Sequence, residues 1–217
     1  MIGPSFQEKA DSVLIFSGGL DSTTLLYKLL SEGHWVHALT FDYNQRHKKE
    51  IDCAANICAI HGTPHKVINI TNLAPLLGDS SLLGGKDVPD CHYTEDSARQ
   101  TVVPNRNMIM LSIAAGYAEA YEIPEVYYAA HAGDWAIYPD CRKSFIDSAA
   151  ETIKLASAWN PVTLKAPFAE MTKKEIVALG RKLKVPFELT WSCYKGGDKP
   201  CGTCPTCVER QEALDEN

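Results

Sequence analysis

The chain has 217 residues, which is enough for one domain with a full hydrophobic core and a small appendage. Hydrophobic residues make up 45% of the sequence and charged residues 22%, a balance that excludes a disordered chain, a collagen-like fibre and a coiled coil. The net charge of −6 argues against a protein that binds nucleic acid through its phosphates. We therefore expect a small-molecule partner and no direct contact with nucleic acid.

No targeting signal or membrane segment is predicted. Residues 1–11 are polar and lack the basic stretch and the apolar stretch of a signal peptide. No run approaches the roughly 18 consecutive apolar residues of a membrane helix. These features predict a cytoplasmic protein, without a membrane partner, whose cysteines are reduced.

Short apolar runs alternate with helical apolar patterns along most of the chain. The predicted strands are 13–16, 35–41, 66–70, 125–130 and 162–164. The predicted helices are one that follows Ser22 and stops at Gly33, then 48–60, 105–121, about 142–157, and 173–183. This alternation predicts an α/β fold with a parallel sheet and helices on both faces. Residues 72–104 interrupt the pattern, and their Gly, Ser, Asp and Pro content predicts a long functional loop or lid.

A glycine-containing loop joins the first predicted strand to the first predicted helix. Its glycines let the backbone approach an anion, and the helix N-terminus supplies unpaired N–H groups and a positive dipole end. The loop is not a Walker A motif, because no Lys-Ser or Lys-Thr pair closes it. A tight turn with a helix cap is the alternative, but the strand–loop–helix context favours a phosphate site. The candidate residues are Phe16, Ser17, Gly18, Gly19, Leu20, Asp21, Ser22, Thr23 and Thr24.

Polar segments also follow the second and fourth predicted strands and precede the third helix. The carboxyl ends of strands are where open α/β sheets bind ligands. Arg46 could meet a carboxylate or phosphate with two parallel hydrogen bonds, Tyr43 offers a stacking face, and Asp134 or Asp140 could coordinate Mg²⁺. Each segment alone could be a solvated turn or a helix cap. The candidate substrate or catalytic residues are Tyr43, Gln45, Arg46, His47, Arg106, Asn107, Asp134, Tyr138, Asp140, Arg142, Lys165 and Lys173.

Four of the eight cysteines lie close together near the end of the chain, at Cys193, Cys201, Cys204 and Cys207. Seven, two and two residues separate them, a spacing that lets four thiolates converge on one tetrahedral ion. Because cysteines would fill all four positions, a bound Zn²⁺ would be structural. An iron–sulfur cluster uses the same number of ligands and stays open as an alternative, as do four unbound thiols. The other four cysteines are predicted to be ordinary residues.

The segment 16–24 resembles the pyrophosphatase loop of the N-type ATP pyrophosphatase superfamily. Members of that superfamily have a Rossmann-like, HUP-type fold and cleave ATP between the α and β phosphates. Taken together, several segments are similar to those of the 7-cyano-7-deazaguanine synthase family of queuosine-precursor biosynthesis. Asn105 stands where many members of that family have glycine, and 131–137 departs from the common loop. The matching segments are 16–24, 42–47, 103–107, 138–142, 172–176 and 190–207 with Glu209-Arg210.

The resemblance implies a ligase that forms carbon–nitrogen bonds. Its substrates would be ATP with Mg²⁺, ammonia and 7-carboxy-7-deazaguanine, and its product would be the nitrile, made through adenylated intermediates. The resemblance also implies that the 16–24 loop binds ATP, that the four cysteines hold one Zn²⁺, and that the chain is a homodimer. Residues 1–190 would form the ATP pyrophosphatase-type domain, and 191–217 a zinc-binding tail packed on it.

Other functions remain open at this point. One alternative is a branch of the family that stops at the amide or joins the activated acid to another amine. A second is a tRNA-thiolating enzyme, which shares the ATP loop but needs a basic face that a net charge of −6 disfavours. A structural zinc-ribbon adaptor would not need three polar loops at strand ends.

Overall fold

The computed structural model describes residues 10–84, 86–92, 96–157 and 159–215. Its centre is a sheet of five strands in the order β3-β2-β1-β4-β5, and every neighbouring pair is parallel. This architecture confirms the predicted parallel α/β fold. Each strand starts within one residue of its predicted start. The strands are β1 (Ser12–Ile15), β2 (Val36–Asp42), β3 (His65–Asn69), β4 (Glu125–Tyr127) and β5 (Thr163–Lys165).

The described residues contain six α-helices, of which the first five agree with the predicted helices to within three residues. The last helix was not predicted, because its residues show no apolar stripe at helical spacing. This segment was interpreted from its cysteines alone, as a metal site. It begins at Pro205, a favoured residue for the first helical position. The helices are α1 (Leu20–Ser31), α2 (Lys49–His61), α3 (Arg106–Ala120), α4 (Lys143–Ala156), α5 (Lys173–Lys182) and α6 (Pro205–Asp215). None of them is long and apolar enough to cross a bilayer.

The helices cover both faces of the sheet, as predicted. Leu111 of α3 and Ile146 of α4 pack on one face, while Leu25 of α1 and Ile176 of α5 pack on the other. Burial of each such side chain contributes about 1.5–3 kcal/mol of stability before the entropy cost is counted. Helices α1 and α5 approach closely at Gly180, where an added Cβ would lie 3.0 Å from Thr24 Oγ1 of α1.

The segment between β3 and α3 is irregular, as predicted, but its described part packs against the core. It contains three short 3₁₀ helices, at Thr71–Leu76, Ser81–Leu83 and Asp96–Thr101. Leu82 and Ala98 are fully buried in the same cluster as the sheet residues. None of the described residues in this segment lines the cavity at the end of β1 and β4. Its apolar side chains explain this placement, because burying them stabilises the segment against the sheet.

The strand order places a ligand crevice at β1. The chain adds β2 and β3 on one side of β1 and then returns to place β4 on its other side. Loops that leave β1 and β4 therefore diverge to opposite faces of the sheet and leave an opening at the carboxyl ends of these strands.

Candidate active site and metal centre

A cavity occupies this opening, lined by the loops after β1, β2 and β4, the starts of α3 and α5, and the tail that follows Thr190. Contacts among its polar and aromatic side chains divide most of them into two groups, which we call the lysine lobe and the aromatic lobe. The lysine lobe comprises Ser17, Gly19, Asp21, Ser22, His131, Asp134 and Lys173, and the aromatic lobe comprises Tyr43, His47, Glu50, Arg106, Tyr138 and Tyr194.

The loop between β1 and α1 has the geometry of an anion site. Gly18 has a φ of +74°, and a Cβ there would lie 2.5 Å from the backbone oxygen of Glu50, so only glycine fits. The Ser17 hydroxyl accepts a hydrogen bond from the Gly19 N–H at 3.2 Å and lies 3.0 Å from the Ser22 hydroxyl. Helix α1 begins at Leu20 without a side-chain cap, so its first N–H groups are available to an anion.

Lys173, the first residue of α5, holds the lysine lobe together. Its Nζ donates to Asp21 Oδ2 at 2.6 Å and lies 3.3 Å from Glu209 Oε2 and 3.0 Å from His131 Nε2. Burial alone would lower the pKa of the ammonium, but Asp21 and Glu209 outweigh it and raise the pKa above its usual value. Lys173 is therefore a permanent cation beside the 16–22 loop.

His131 follows β4 and completes the lysine lobe. Its Nδ1 accepts a hydrogen bond from the Gly133 N–H at 3.1 Å, so its other ring nitrogen, Nε2, faces the charged groups of the lobe. That nitrogen lies 3.5 Å from Asp134 Oδ2 and 3.8 Å from Asp21 Oδ2. The ring thus orients two carboxylates at the edge of the cavity.

One carboxylate oxygen of Asp21 has no hydrogen-bond partner among the residues that the structure describes. Although burial would raise the pKa of this carboxyl, Lys173 and His131 lower it below its usual value, so the group is ionised. Its Oδ1 is buried and accepts no hydrogen bond from the described residues. A buried carboxylate oxygen of this kind needs a ligand, and a divalent cation is the natural one.

Arg106, the first residue of α3, supplies the cation of the aromatic lobe. Its Nη1 donates to the Tyr43 hydroxyl at 3.4 Å, and its Cζ lies 5.7 Å from the centre of the Tyr43 ring. Burial opposes the charge, but the surrounding tyrosines and Asp140 keep its pKa well above the usual value. No carboxylate of a described residue forms an ion pair with it, so the guanidinium is free to bind an anionic ligand.

Asn105 sets the direction in which Arg106 enters the cavity. Its φ of +56° is in the left-handed region, where asparagine is tolerated better than most residues. Glycine would adopt the same conformation without strain.

Glu50 and His47 are buried side by side in the aromatic lobe. Burial raises the pKa of Glu50 to about 7, although Gln45 and Arg106 act against it. Burial and the charge of Arg106 lower the pKa of His47 to about 3, so this ring is neutral. Gln45 folds the turn after β2 by accepting a hydrogen bond from the Tyr43 N–H and donating to Glu50 Oε1, both at 2.9 Å.

Aromatic rings form the remaining wall of this lobe. The Tyr138 hydroxyl lies 2.6 Å from Thr101 Oγ1 and 3.3 Å from the Tyr194 hydroxyl. The Tyr194 ring packs on the ring of His47, with 5.2 Å between their centres. Flat side chains around one cation and one carboxyl suit a planar polar heterocycle.

Several candidate residues lie outside the cavity wall. Arg46 donates to the backbone oxygen of Lys86 and pairs with Asp87, while Arg142 donates through Nε to the backbone oxygen of Trp135. Lys165 pairs with Glu125 on a different part of the surface. These three cations satisfy local partners and do not reach the lobes.

Other candidates support the site from behind, and of these Asn107 also lines the cavity. Asp140 caps α3 by accepting a hydrogen bond from the Asn107 N–H at 3.0 Å, and the Asn107 amide donates to the Asp140 backbone oxygen at 3.3 Å. Thr24 donates to the Leu20 backbone oxygen inside α1, and Thr23 is fully buried, so neither hydroxyl lines the cavity. Gly18 likewise shapes the loop without lining the cavity.

The four tail cysteines come together as a metal centre. Their sulfur atoms all lie within 4.8 Å of one another, and none of them is in a disulfide. Tetrahedral bonds of about 2.3 Å to Zn²⁺ separate sulfur atoms by roughly 3.8 Å, and the Sγ atoms of Cys201 and Cys207 are 3.9 Å apart. Although burial favours the thiol, N–H groups of Thr203 and Cys204 lower the pKa of Cys201. The cluster fits a fully coordinated, structural metal.

The tail connects the metal centre to the cavity. The Trp191 N–H donates to the Gly18 backbone oxygen at 3.1 Å, and the Trp191 indole donates to the Cys193 backbone oxygen at 3.0 Å. Arg210 donates to Thr190 Oγ1 at 2.7 Å and to the Phe187 backbone oxygen at 2.6 Å. A metal bound by the four cysteines would thereby hold the chain that lies against the 16–22 loop.

Sequence reasoning missed several residues of the cavity wall. Glu50 looks like an ordinary acidic residue in the first turn of a helix, and Tyr194 lies within the metal segment. His131 directly follows a strand, a signal that could have been used. The missed wall residues with polar or aromatic side chains include Glu50, Tyr128, His131, Trp191, Ser192, Tyr194, Thr206 and Arg210.

The sequence matches a known family over almost its whole length. Residues 11–217 match the family model described as queuosine biosynthesis protein QueC. The chain belongs to this family. A 7-cyano-7-deazaguanine synthase of Archaeoglobus fulgidus is 52% identical over 203 residues, which are 94% of this chain and 85% of the relative. A 7-cyano-7-deazaguanine synthase of Alteromonas mediterranea is 49% identical over 205 residues, or 94% of each chain.

Two solved structures share the fold of this QueC family member at low sequence identity. NMN synthetase from Francisella tularensis has a TM-score of 0.53 and 18% identity, covering 89% of this chain and 71% of that one. A 4-thiouridine synthetase solved with RNA and bound ATP also has a TM-score of 0.53 and 18% identity, covering 95% of this chain and 51% of that one. They support the α/β fold and carry no argument about substrates.

Proposed function

We propose that this QueC family member is a ligase that forms 7-cyano-7-deazaguanine from 7-carboxy-7-deazaguanine, ammonia and ATP. The observation that carries the proposal is that one cavity holds both the 16–22 loop and Arg106, a cation that forms no ion pair with a carboxylate of a described residue. The loop suits phosphates, and Arg106 between aromatic side chains suits a planar carboxylic acid. The names of the relatives support the same substrate class.

The lysine lobe would bind the phosphates of ATP. The N–H groups at the start of α1, the Ser17 and Ser22 hydroxyls and the Lys173 ammonium all present positive charge or donors to one region. Such fixed donors stabilise charge that develops on a transferring phosphoryl group without having to reorganise. Of the proposed ATP residues, Gly18, Thr23 and Thr24 would act by shaping the loop and α1.

Mg²⁺ would be held in the same lobe by Asp21, whose buried Oδ1 has no hydrogen-bond partner among the described residues. Asp134 lies on the other side of His131 and offers a second carboxylate. When bound, Mg²⁺ would offset the charge of the phosphates. Without a bound metal, the positive charge of Lys173 lowers the pKa of Asp21 and keeps this carboxyl ionised.

The reaction would begin when an oxygen of the substrate carboxylate attacks the α-phosphorus and pyrophosphate leaves. Ammonia would then add to the acyl adenylate and expel AMP, which leaves the amide. The amide oxygen would attack the α-phosphorus of a second ATP and displace pyrophosphate, and loss of AMP and protons from this second adenylate would give the nitrile. Each ATP removes one oxygen from the original carboxylate. The protein would contribute positioning and charge stabilisation rather than a covalent intermediate.

Zn²⁺ would be the ion at Cys193, Cys201, Cys204 and Cys207, with a structural role. Four sulfur ligands leave no open position for water or substrate. Residues 191–217 would therefore act as a tail packed on the 1–190 domain. We also propose, from the family resemblance, a cytoplasmic homodimer, which sedimentation of the purified protein would test.

The decisive experiment is to incubate the purified protein with ATP, ammonium chloride and 7-carboxy-7-deazaguanine and to identify all products by mass spectrometry. Nitrile, AMP and pyrophosphate are expected. Amide as the only end product would assign the chain to an amide-forming branch. Formation of ADP without AMP, or no change in the mass of the substrate, would contradict the proposal.

A further inference from the structure

Glu50 is a charged group that the adenylation chemistry leaves unused. It lines the cavity from the first turn of α2, and its side chain is only 13% exposed. Its Oε1 accepts a hydrogen bond from Gln45 at 2.9 Å. Its Oε2 accepts no hydrogen bond from a described residue and lies 3.4 Å from His47 Nε2. Half of this buried carboxyl is therefore open to a ligand.

A purely structural role does not explain this arrangement. Burial of a carboxyl without full hydrogen bonding costs stability, and apolar or amide side chains would pack there at lower cost. Arg106 is close enough to affect Glu50 electrostatically but pairs with Tyr43 instead. His47 shows the same pattern, because it is 3% exposed, lines the cavity and has a buried Nδ1 without a hydrogen-bond partner in the described part of the chain.

The two side chains offer a set of groups that matches a guanine-type edge. A 7-deazaguanine presents the N1–H and the 2-amino group as adjacent donors, with the 6-carbonyl oxygen as an acceptor beside them. A carboxylate accepts two parallel N–H bonds, and a neutral histidine with its proton on Nδ1 donates one. Adenine presents an acceptor beside its amino group, so an ionised carboxylate binds it poorly. The aromatic lobe is thus suited to the deazaguanine and the lysine lobe to the nucleotide phosphates.

We propose that Glu50 binds the N1–H and 2-amino edge of the deazaguanine substrate and selects it over bases that lack the 2-amino group, with His47 as the donor to the 6-carbonyl. This proposal rests on the proposed function and goes further by assigning substrate specificity to a residue in α2. The aromatic lobe would then recognise both parts of the substrate, with Glu50 at the base and Arg106 at the carboxylate.

The test compares two ligands and two variants by titration calorimetry, with α,β-methylene-ATP present so that no turnover occurs. The ligands are 7-carboxy-7-deazaguanine and its analogue without the 2-amino group, 7-carboxy-7-deazahypoxanthine. The wild-type protein should bind the first ligand about 100-fold more tightly than the second, because a lost hydrogen bond leaves a charged acceptor unpaired. In Glu50→Gln the two dissociation constants should differ by less than about threefold.

The matched control is Glu151→Gln, which makes the same chemical change at an exposed position on α4 and should keep the full discrimination. Thermal melting should show that Glu50→Gln is folded. If it is not, Glu50→Asp retains the charge but shortens the side chain, and should lose affinity for the first ligand by about tenfold or more while affecting the analogue less.

Two results would overturn the assignment of Glu50. One is equal weakening of both ligands by Glu50→Gln, which would make the residue a general support of the lobe. The other is weaker binding of α,β-methylene-ATP with unchanged discrimination, which would place the residue at the nucleotide. A wild-type protein that produces AMP and nitrile but binds the two ligands equally well would refute the role of Glu50 and leave the proposed function intact. A wild-type protein that neither binds 7-carboxy-7-deazaguanine nor forms AMP would refute the proposed function.

Discussion

The two lobes of the cavity differ in whether their cation is paired with carboxylates of the protein. In the lysine lobe, Lys173 contacts Asp21, Glu209 and His131, so its cation is paired before any ligand binds. In the aromatic lobe, Arg106 has a tyrosine as its hydrogen-bond partner and no carboxylate of a described residue in an ion pair. A cation that is paired within the protein stays fixed and charged, while a cation without such a partner can form its ion pair with a ligand.

This difference indicates a division of labour. Under the proposed function, the lysine lobe would be a framework for phosphates, to which the protein contributes fixed charge and hydrogen-bond donors. The aromatic lobe has unsatisfied groups at Arg106, Glu50 and His47, which favours recognition of a specific small molecule. The tail that carries the four cysteines contacts both lobes, through Trp191 at the 16–22 loop and through Tyr194 at His47.

Loss of the metal should therefore damage both lobes, and it is the largest effect we expect. A structural zinc centre contributes on the order of 10 kcal/mol, so Cys201→Ser should unfold the tail and abolish activity. Thermal melting and elemental analysis of zinc would measure both effects. Cys53→Ser, which changes a thiol outside the cluster, should retain zinc. A Cys201→Ser protein with unchanged melting would rule out a structural metal at this centre.

Removal of the lysine-lobe cation, Lys173, should have the second-largest effect. Lys173→Met leaves the Asp21 and Glu209 carboxylates without their partner and removes a positive charge from the phosphate region. We expect kcat/KM for AMP formation to fall about 1000-fold, as for the loss of a group that stabilises transition-state charge. Steady-state assays would measure it against Lys174→Met, an exposed neighbour that should behave like the wild type. A loss smaller than tenfold would show that Lys173 serves packing alone.

Removal of the aromatic-lobe cation should have a selective effect. Arg106→Met should raise the KM for 7-carboxy-7-deazaguanine by about 100-fold and leave the KM for ATP nearly unchanged, because a charge-assisted pair is lost. Arg106→Lys should recover only part of the loss, since an ammonium cannot form the two parallel bonds. The exposed Arg99→Met serves as the control. A rise in the KM for ATP as large as that for the acid would erase the distinction between the lobes.

The smallest effect concerns the pH dependence of stability through Glu50, which faces Gln45, His47 and Arg106. Its pKa rises from 4.5 to about 7 on folding, so the folded protein binds this proton more tightly than the unfolded chain. Its contribution to stability is complete below about pH 4.5 and is lost as the pH rises through about 7. The loss is at most about 3 kcal/mol. Denaturant titrations of wild type and Glu50→Gln between these pH values should diverge, and parallel curves would disprove the shift.

Most of the fold could be predicted because its signals are local. Apolar runs and helical spacings located the five strands and the first five helices, and the glycine loop indicated which edge of the sheet is used. Helix α6 escaped prediction because its buried side, with Cys207 and Ala213, is too sparse to form an apolar stripe. The described part of 72–104 is packed rather than open, because Leu82 and Ala98 are buried against the sheet.

The residues of the candidate site also fall into those that the sequence could identify and those that it could not. Asp21, Lys173 and the 16–22 loop could be picked out from residue type and position, whereas Arg46 and Arg142 could not be told apart from Arg106. All three are arginines in polar segments, and only the structure shows that two of them bind backbone oxygens elsewhere.

The sequence by itself determined the parallel α/β architecture, the loop that suits phosphate and the four cysteines that converge, because each depends on residues close together in the chain. The tertiary structure decided which cations stay unpaired and which carboxyls face the cavity. Charge pairing depends on distances between segments that are far apart in sequence, such as Asp21 and Lys173 or Glu50 and Arg106. The eight cysteines illustrate both cases, since spacing identifies the four ligands, while only the fold places Cys141 in the cavity wall.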